Sequence, residues 1–185
     1  MTKEQILALQ DESVFGKDLY KYVEFCSWAR WYPDLFLDLI KPEVGGINLH
    51  SDQRVYLRCI MRFVSMYGVF PRGWGKTYDE VLAMYLVSMF FPGIDLAMTA
   101  QTKENAAELI KDKHNEIMKH FPMLENEIEG RVKFAKGDAE VRFKSDSKID
   151  NLANAQTSKG QRRKRINIEE SALLNDAMFQ DDLKP

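Results

Sequence analysis

Two cysteines, Cys26 and Cys59, are all that the 185 residues contain, and neither has a second Cys or a His at metal-ligand spacing. A structural zinc site is excluded on that count, and the usage is that of a reduced, intracellular chain. No apolar run approaches the roughly 18–20 residues that a membrane-spanning helix needs. The opening Met1-Thr-Lys-Glu-Gln lacks the apolar core of a signal peptide. An excess of either charge is missing too: 26 Lys and Arg stand against 28 Asp and Glu, a net of −2. That balance excludes a globally basic nucleic-acid coat and leaves room for a local basic groove. Internal repeats and low-complexity tracts are absent, and His50, His114 and His120 are scattered without a chemical pattern. What is present is ordinary globular usage, 45% hydrophobic and 29% charged, in one domain's worth of chain.

Residues 1–45 are aromatic-rich and helical in pattern, with Leu19, Tyr22, Val23, Cys26 and Ala29 at three- and four-residue spacing until Pro33. Gly45-Gly46 breaks the pattern, and Ser51 or Asp52 can cap a second helix through Val55, Cys59, Ile60 and Phe63. Tyr67-Gly-Val-Phe70 is too short for a helix, is bounded by Pro71 and Gly73, and reads as a buried strand. A helix from Lys76 to Pro92, a strand over Ile94–Thr99 and a helix over Glu104–Phe121 follow, the last with Ala107, Ile110, His114 and Ile117 on one side. Strand, helix, strand, helix in that order predicts an α/β fold with a parallel sheet. Arg131–Ala135 and Glu140–Phe143, joined at Gly137-Asp138, predict an added β-hairpin. Lys164–Ile168 predicts a last strand, and Ser171–Phe179 a helix.

The strongest chemical signal is Phe70-Pro-Arg-Gly-Trp-Gly-Lys-Thr77. A strand runs into a glycine-bearing loop that ends in Gly-Lys-Thr where a helix begins. Gly73 and Gly75 let loop N–H groups point inward, and the helix N-terminus adds partial positive charge, so the layout suits phosphate. Lys76 would reach the β- and γ-phosphates, and the Thr77 hydroxyl would bind Mg²⁺. The full pattern has a Gly where this chain has Phe70, so the strand before and the helix after are what raise Gly-Lys-Thr above coincidence.

Such an ATPase also needs one carboxylate for Mg²⁺ and a second to orient the attacking water. Ile166-Asn-Ile-Glu-Glu170 supplies both at a strand end: Glu169 for the metal and Glu170 for the water. The same pair also suits a plain helix start, where acids meet the helix dipole. Lys159, Arg162, Arg163, Lys164 and Arg165 place five cations in seven residues, fit either for DNA phosphates and an acidic neighbour or for a solvated hairpin end.

Further segments extend the pattern. Phe70 and Arg72 depart from the standard phosphate loop by losing the first Gly and placing an Arg four positions before Lys76. Upstream lie Trp28-Ala-Arg-Trp-Tyr-Pro-Asp-Leu-Phe36 and Leu49-His-Ser-Asp-Gln53; downstream lie Ala97-Met-Thr-Ala-Gln-Thr-Lys-Glu-Asn-Ala106 and the stretch 137–160. In this order the segments resemble the ATPase domain of the large terminase subunit, the DNA-packaging motor of tailed bacteriophages, over most of the chain.

The resemblance implies a P-loop NTPase of the additional-strand, catalytic-Glu type, with a parallel central sheet, an added β-hairpin and an N-terminal helical subdomain. Residues 1–45 would be a lid-like helical segment and 46–185 the ATPase core, ending just after the acidic strand. The family's sheet continues past that strand and a nuclease domain follows, so a truncated core without the nuclease is expected. It implies ATP and Mg²⁺ as cofactors, Gln53 at the adenine and Arg72 as an internal arginine finger near the γ-phosphate. It also implies double-stranded DNA, a portal protein and a small terminase subunit as partners. A homo-oligomeric ring, the host cell cytoplasm and no membrane complete the expectation. Two alternatives stay open: another nucleic-acid translocase of helicase-like kind, and a nucleotide-binding assembly module without turnover. On the terminase reading the isolated chain hydrolyses ATP poorly and binds DNA weakly.

Overall fold

The computed structural model describes residues 2–8, 16–152 and 163–169, and over these the chain is helical first and sheet-forming second. A short helix α1 (Lys3–Ala8) precedes α2 (Leu19–Trp31), and Pro33 opens α3 (Pro33–Ile40), where a first-turn proline sacrifices no hydrogen bond. Of the stripe expected on α2, Ala29 is fully buried while Tyr22 stays 44% exposed. The helix α4 (Ser51–Arg62) starts one residue earlier than expected, with His50 as its N-cap. Its buried face is Gln53, Tyr56, Leu57 and Met61, whereas Val55 and Phe63 of the expected face are exposed. The polar Gln53 and Tyr56 take the inner face because each finds a hydrogen-bond partner there, which lowers the cost of burying them.

The helix α5 (Lys76–Phe90) is buried almost all round, as its apolar composition dictates. It packs against α4 and α2, and against β1 (Asp95–Thr99) and α6 (Lys103–His120). The cap of α6 is Thr102, whose hydroxyl accepts the Asn105 N–H at 3.1 Å, and its buried side carries the expected Ala107, Ile110, His114 and Ile117. Four more strands follow: β2 (Lys133–Ala135), β3 (Asp138–Arg142), β4 (Lys148–Asn151) and β5 (Arg165–Ile168).

They form one five-stranded mixed sheet in the order β2-β3-β4-β1-β5. β1 pairs in parallel with β4 and β5, while β2, β3 and β4 are antiparallel neighbours. The fold is therefore α/β with helices packed on a mixed sheet whose centre is parallel. The expected hairpin is β2–β3, turning at Gly137 with φ +79°. Lys-Ile-Asp-Asn of β4 carries one apolar residue, Ile149, too little for a sequence pattern, yet it lies between β3 and β1 with Ile149 fully buried.

One expected strand does not form. Tyr67–Phe70 forms no strand, and Tyr67 and Val69 are 77% and 81% exposed. The Phe70 ring lies over Gly68, where a Cβ would stand 2.3 Å from it. Phe70 stacks on Trp74, with ring centroids 4.3 Å apart, instead of entering the core. The expected helix over 171–179 lies outside the described residues.

Two devices attach the N-terminal helices. Asp34 and Asp38 of α3 take the forks of Arg58 and Arg54 of α4. Arg30 of α2 donates from Nε to the Phe90 carbonyl at 2.8 Å and lies 4.6 Å over the Phe91 ring, placing a cation at the negative end of α5. Ala29, Phe36 and Leu37 consequently belong to the same buried cluster as Leu82, Leu86 and Met98.

Candidate phosphate-binding site

Gly75 is the N-cap of α5 and has φ +95°, a left-handed conformation, with Gly73 at φ +77° two residues before it. A Cβ on Gly75 would also come within 3.0 Å of Gln53 Nε2, but it is the backbone angle that requires glycine there. The turn delivers Lys76 and Thr77 as the first two residues of α5, at the end where the helix dipole is positive.

Opposite them stands Glu169, directly after β5, with 6% of its surface exposed. Its N–H donates to the Thr99 carbonyl at 2.9 Å, which fixes it at the C-terminal ends of the parallel strands β1 and β5. Open α/β sheets place ligands at that edge. Lys76 Nζ lies 2.7 Å from Glu169 Oε1, and Thr77 Oγ1 donates to the same oxygen at 2.7 Å, across 93 and 92 positions of sequence. Burial pushes the Glu169 carboxyl up, but hydrogen bonds from Glu80, Lys76 and Thr77 outweigh it and hold the group below the usual glutamate range.

Glu80 and Tyr56 complete the centre. Tyr56 Oη donates to Glu80 Oε1 at 2.9 Å, and Glu80 lies within hydrogen-bond reach of Glu169. Burial first, then the neighbouring Glu169, push the Glu80 carboxyl up to about 8. The Oε2 atoms of Glu80 and Glu169 are both buried without a hydrogen-bond partner. Burial also pushes Asp79 up to about 7; the Gln53 amide opposes this, though neither Asp79 oxygen receives a hydrogen bond of good geometry.

The remaining expected residues surround this centre at different distances from its chemistry. Gln53 accepts the His50 N–H at 3.0 Å, and its amide nitrogen makes a long contact of 3.5 Å to the Trp74 carbonyl, so it braces α4 against the loop. Trp74 Nε1 donates to Asp52 Oδ2 at 2.6 Å, and Tyr56 meets both Phe70 and Trp74 edge-on. Arg72 is exposed on the loop and takes no part in the Lys76–Glu169 contacts. Glu170, Lys159 and Arg162 lie outside the described residues.

Of the basic cluster, Arg163 pairs with Asp150, its side chain 8% exposed, and Arg165 donates to the Ile60 and Phe63 carbonyls at the end of α4. Lys164 is the exposed member of the three, with a 3.3 Å contact to the Gly93 carbonyl. All three stand at or before the start of β5, and Glu169 stands beyond its end, so the structure does not bring them to the phosphate site.

Glu80, Tyr56 and Asp79 were not legible as site residues, although one signal existed: Glu80 is four residues after Lys76 on the same helix and shares its side. Thr77 Oγ1 and Glu169 are hard oxygen donors that meet at one point, and the orphaned Glu169 Oε2 adds a third oxygen, so the set suits Mg²⁺. Among the described residues no helix is long and apolar enough to cross a membrane. No family model matches the chain, and no curated protein matches it.

Proposed function

We propose that the chain is a Mg²⁺-dependent ATPase of the phosphate-loop kind. The single observation that carries this is the convergence of Lys76 and Thr77, at the N-terminus of α5, on the carboxylate of Glu169 at the end of β5. Lys76 leaves Glu169 to reach the phosphates, and Thr77 and Glu169 hold the cation. When bound, Mg²⁺ supplies charge neutralisation for the transferring phosphoryl group. Arg72, exposed on the loop, is free to turn toward the γ-phosphate, and Glu170 orients the attacking water. Gln53 serves the loop and, through it, the nucleotide.

The client follows from the sequence resemblance alone: translocation of double-stranded DNA into a procapsid, as part of a terminase-type motor. Steady-state phosphate release from the wild type, alone and with DNA, compared with Lys76→Ala and Glu170→Gln, tests the reading. Mg²⁺-dependent release that both variants abolish is expected. Release by Lys76→Ala at the wild-type rate would show the site to be misassigned. Nucleotide binding without any release would leave the assembly-module reading in its place.

A further inference from the structure

Trp74 sits between the two left-handed glycines of the loop, and the reading above gives its side chain no part. We propose that Trp74 is a positioning residue for the phosphate loop, held by Asp52 and stacked on Phe70. The inference rests on the phosphate-site reading and assigns residues which that reading does not use.

Gly73 and Gly75 have φ +77° and +95°, and glycine gives up more backbone freedom on ordering than any other residue. A loop with glycines on both sides of residue 74 therefore needs a restraint from outside if its N–H groups are to face a phosphate in one arrangement. Trp74 receives that restraint at two points. Its indole Nε1 donates to Asp52 Oδ2 at 2.6 Å, and its carbonyl lies 3.5 Å from the amide nitrogen of Gln53. Asp52 and Gln53 are neighbours in the first turn of α4, and α4 is itself clasped to α3 through Arg54 and Arg58.

The ring of Trp74 closes the loop from its other end. The Phe70 and Trp74 rings stack with centroids 4.3 Å apart and an interplanar angle of 26°, and Pro71, Arg72 and Gly73 make the turn between them. Tyr56 is buried and meets both rings edge-on, at 4.6 and 5.5 Å, so the pair rests on a fixed floor. Phe70 stands where the full phosphate-loop pattern has its first glycine. Its ring supplies a contact that a glycine could not, and the exposed Arg72 is carried on the turn that this contact closes.

The test makes two measurements on the full chain. One is ATP binding in MgCl₂ by titration calorimetry, and the other is the rate of trypsin cleavage after Arg72 without nucleotide, followed by mass spectrometry. The proteins are the wild type, Lys76→Ala, Trp74→Ala, Phe70→Ala, Asp52→Ala and Asp52→Asn, each checked for folding by circular dichroism. Trp74→Ala and Phe70→Ala should bind ATP about tenfold more weakly and be cut after Arg72 about tenfold faster, the size of a lost aromatic pair. Asp52→Ala should change both by about fivefold, the size of one lost hydrogen bond. Asp52→Asn, whose side-chain oxygen still accepts from the indole, should stay within about twofold of wild type. Wild-type affinity in Trp74→Ala and Phe70→Ala overturns the proposal, and so does unchanged cleavage. Equal loss in Asp52→Asn and Asp52→Ala also overturns it, because the acid's charge and not its contact with the indole would then be at work. Should Trp74→Ala and Phe70→Ala not fold, Asp52→Ala decides, and wild-type behaviour there overturns the proposal. Absence of ATP binding by the wild type, or equal binding by Lys76→Ala, overturns the phosphate-site reading instead, and the cleavage rates alone then decide whether Trp74 holds the loop.

Discussion

Carboxylates meet cations in two regions of this fold, and the two are built differently. Between α3 and α4 each acid takes a full guanidinium fork: Arg58 meets Asp34 at 2.6 and 2.7 Å, and Arg54 meets Asp38 at 2.6 and 2.9 Å while also lying 3.5 Å from Asp34. Burial pushes Asp34 up, but Arg58 outweighs it, and Arg54 holds Asp38 down, so both stay below the usual aspartate range. At the candidate site Glu169 takes the ammonium of Lys76, Asp79 is buried without a good donor, and Glu80 and Asp79 are pushed up. A satisfied network rigidifies a fold, whereas buried acids short of donors hold unfavourable energy that an incoming cation or donor relieves. The difference separates a satisfied clasp from a cluster of buried acids short of donors.

Breaking each region should therefore have a different signature. The largest effect is expected from Lys76→Ala, which should lower phosphate release per folded molecule by about 10²-fold or more. Asp34→Ala should act on stability alone. Removing a 1%-exposed acid from beneath Arg58 should cost about 3 kcal/mol in urea denaturation, with turnover per folded molecule unchanged.

A smaller effect is expected from pH, with opposite sign in the two regions. Asp79 rises from 3.8 to about 7 and Glu80 from 4.5 to about 8 on folding, so the unfolded chain loses these protons first. Their contribution to stability is complete below about pH 4 and is lost as pH rises through 7 and 8. The lowered Asp34 and Asp38 contribute above the ordinary aspartate range and lose that contribution as pH falls through it. Urea denaturation across pH 3–9 should show stability falling at both ends, and Asp79→Asn should flatten the alkaline limb alone. A limb unchanged by Asp79→Asn would remove that residue from the contrast. The smallest effect is expected at Val55, which belongs to neither region. It is 61% exposed, so Val55→Ser should change stability by less than about 0.5 kcal/mol.

Much of the fold was legible because its signals are local. α5, β1, α6, the β2–β3 hairpin and β5 follow from apolar spacing, Gly137 and the proline punctuation. The inner face of α4 was not legible, since Tyr56 is buried against a partner on another element, Glu80 of α5. Tyr67–Phe70 misled for the same reason. An apolar, β-prone run is a strand only where another strand pairs with it, and here Phe70 turns back to Trp74. In the site, Lys76, Thr77 and Glu169 could be named from their motifs, while Glu80 carries no motif and is recognised only by what it faces.

The sequence by itself determined which residues can make a phosphate loop: Gly73 and Gly75 permit left-handed backbone, and Lys76 and Thr77 begin a helix, all within a few residues of one another. It also determined that an acid would end the last strand. Only the tertiary structure decided that Glu169 meets Lys76 and Thr77 across more than 90 positions, and that Tyr56 and Glu80 stand behind it. Conformational preference is set by neighbours in the chain. Burial and shared hydrogen bonds are set by neighbours in space, and those exist only once the sheet has brought β5 beside β1.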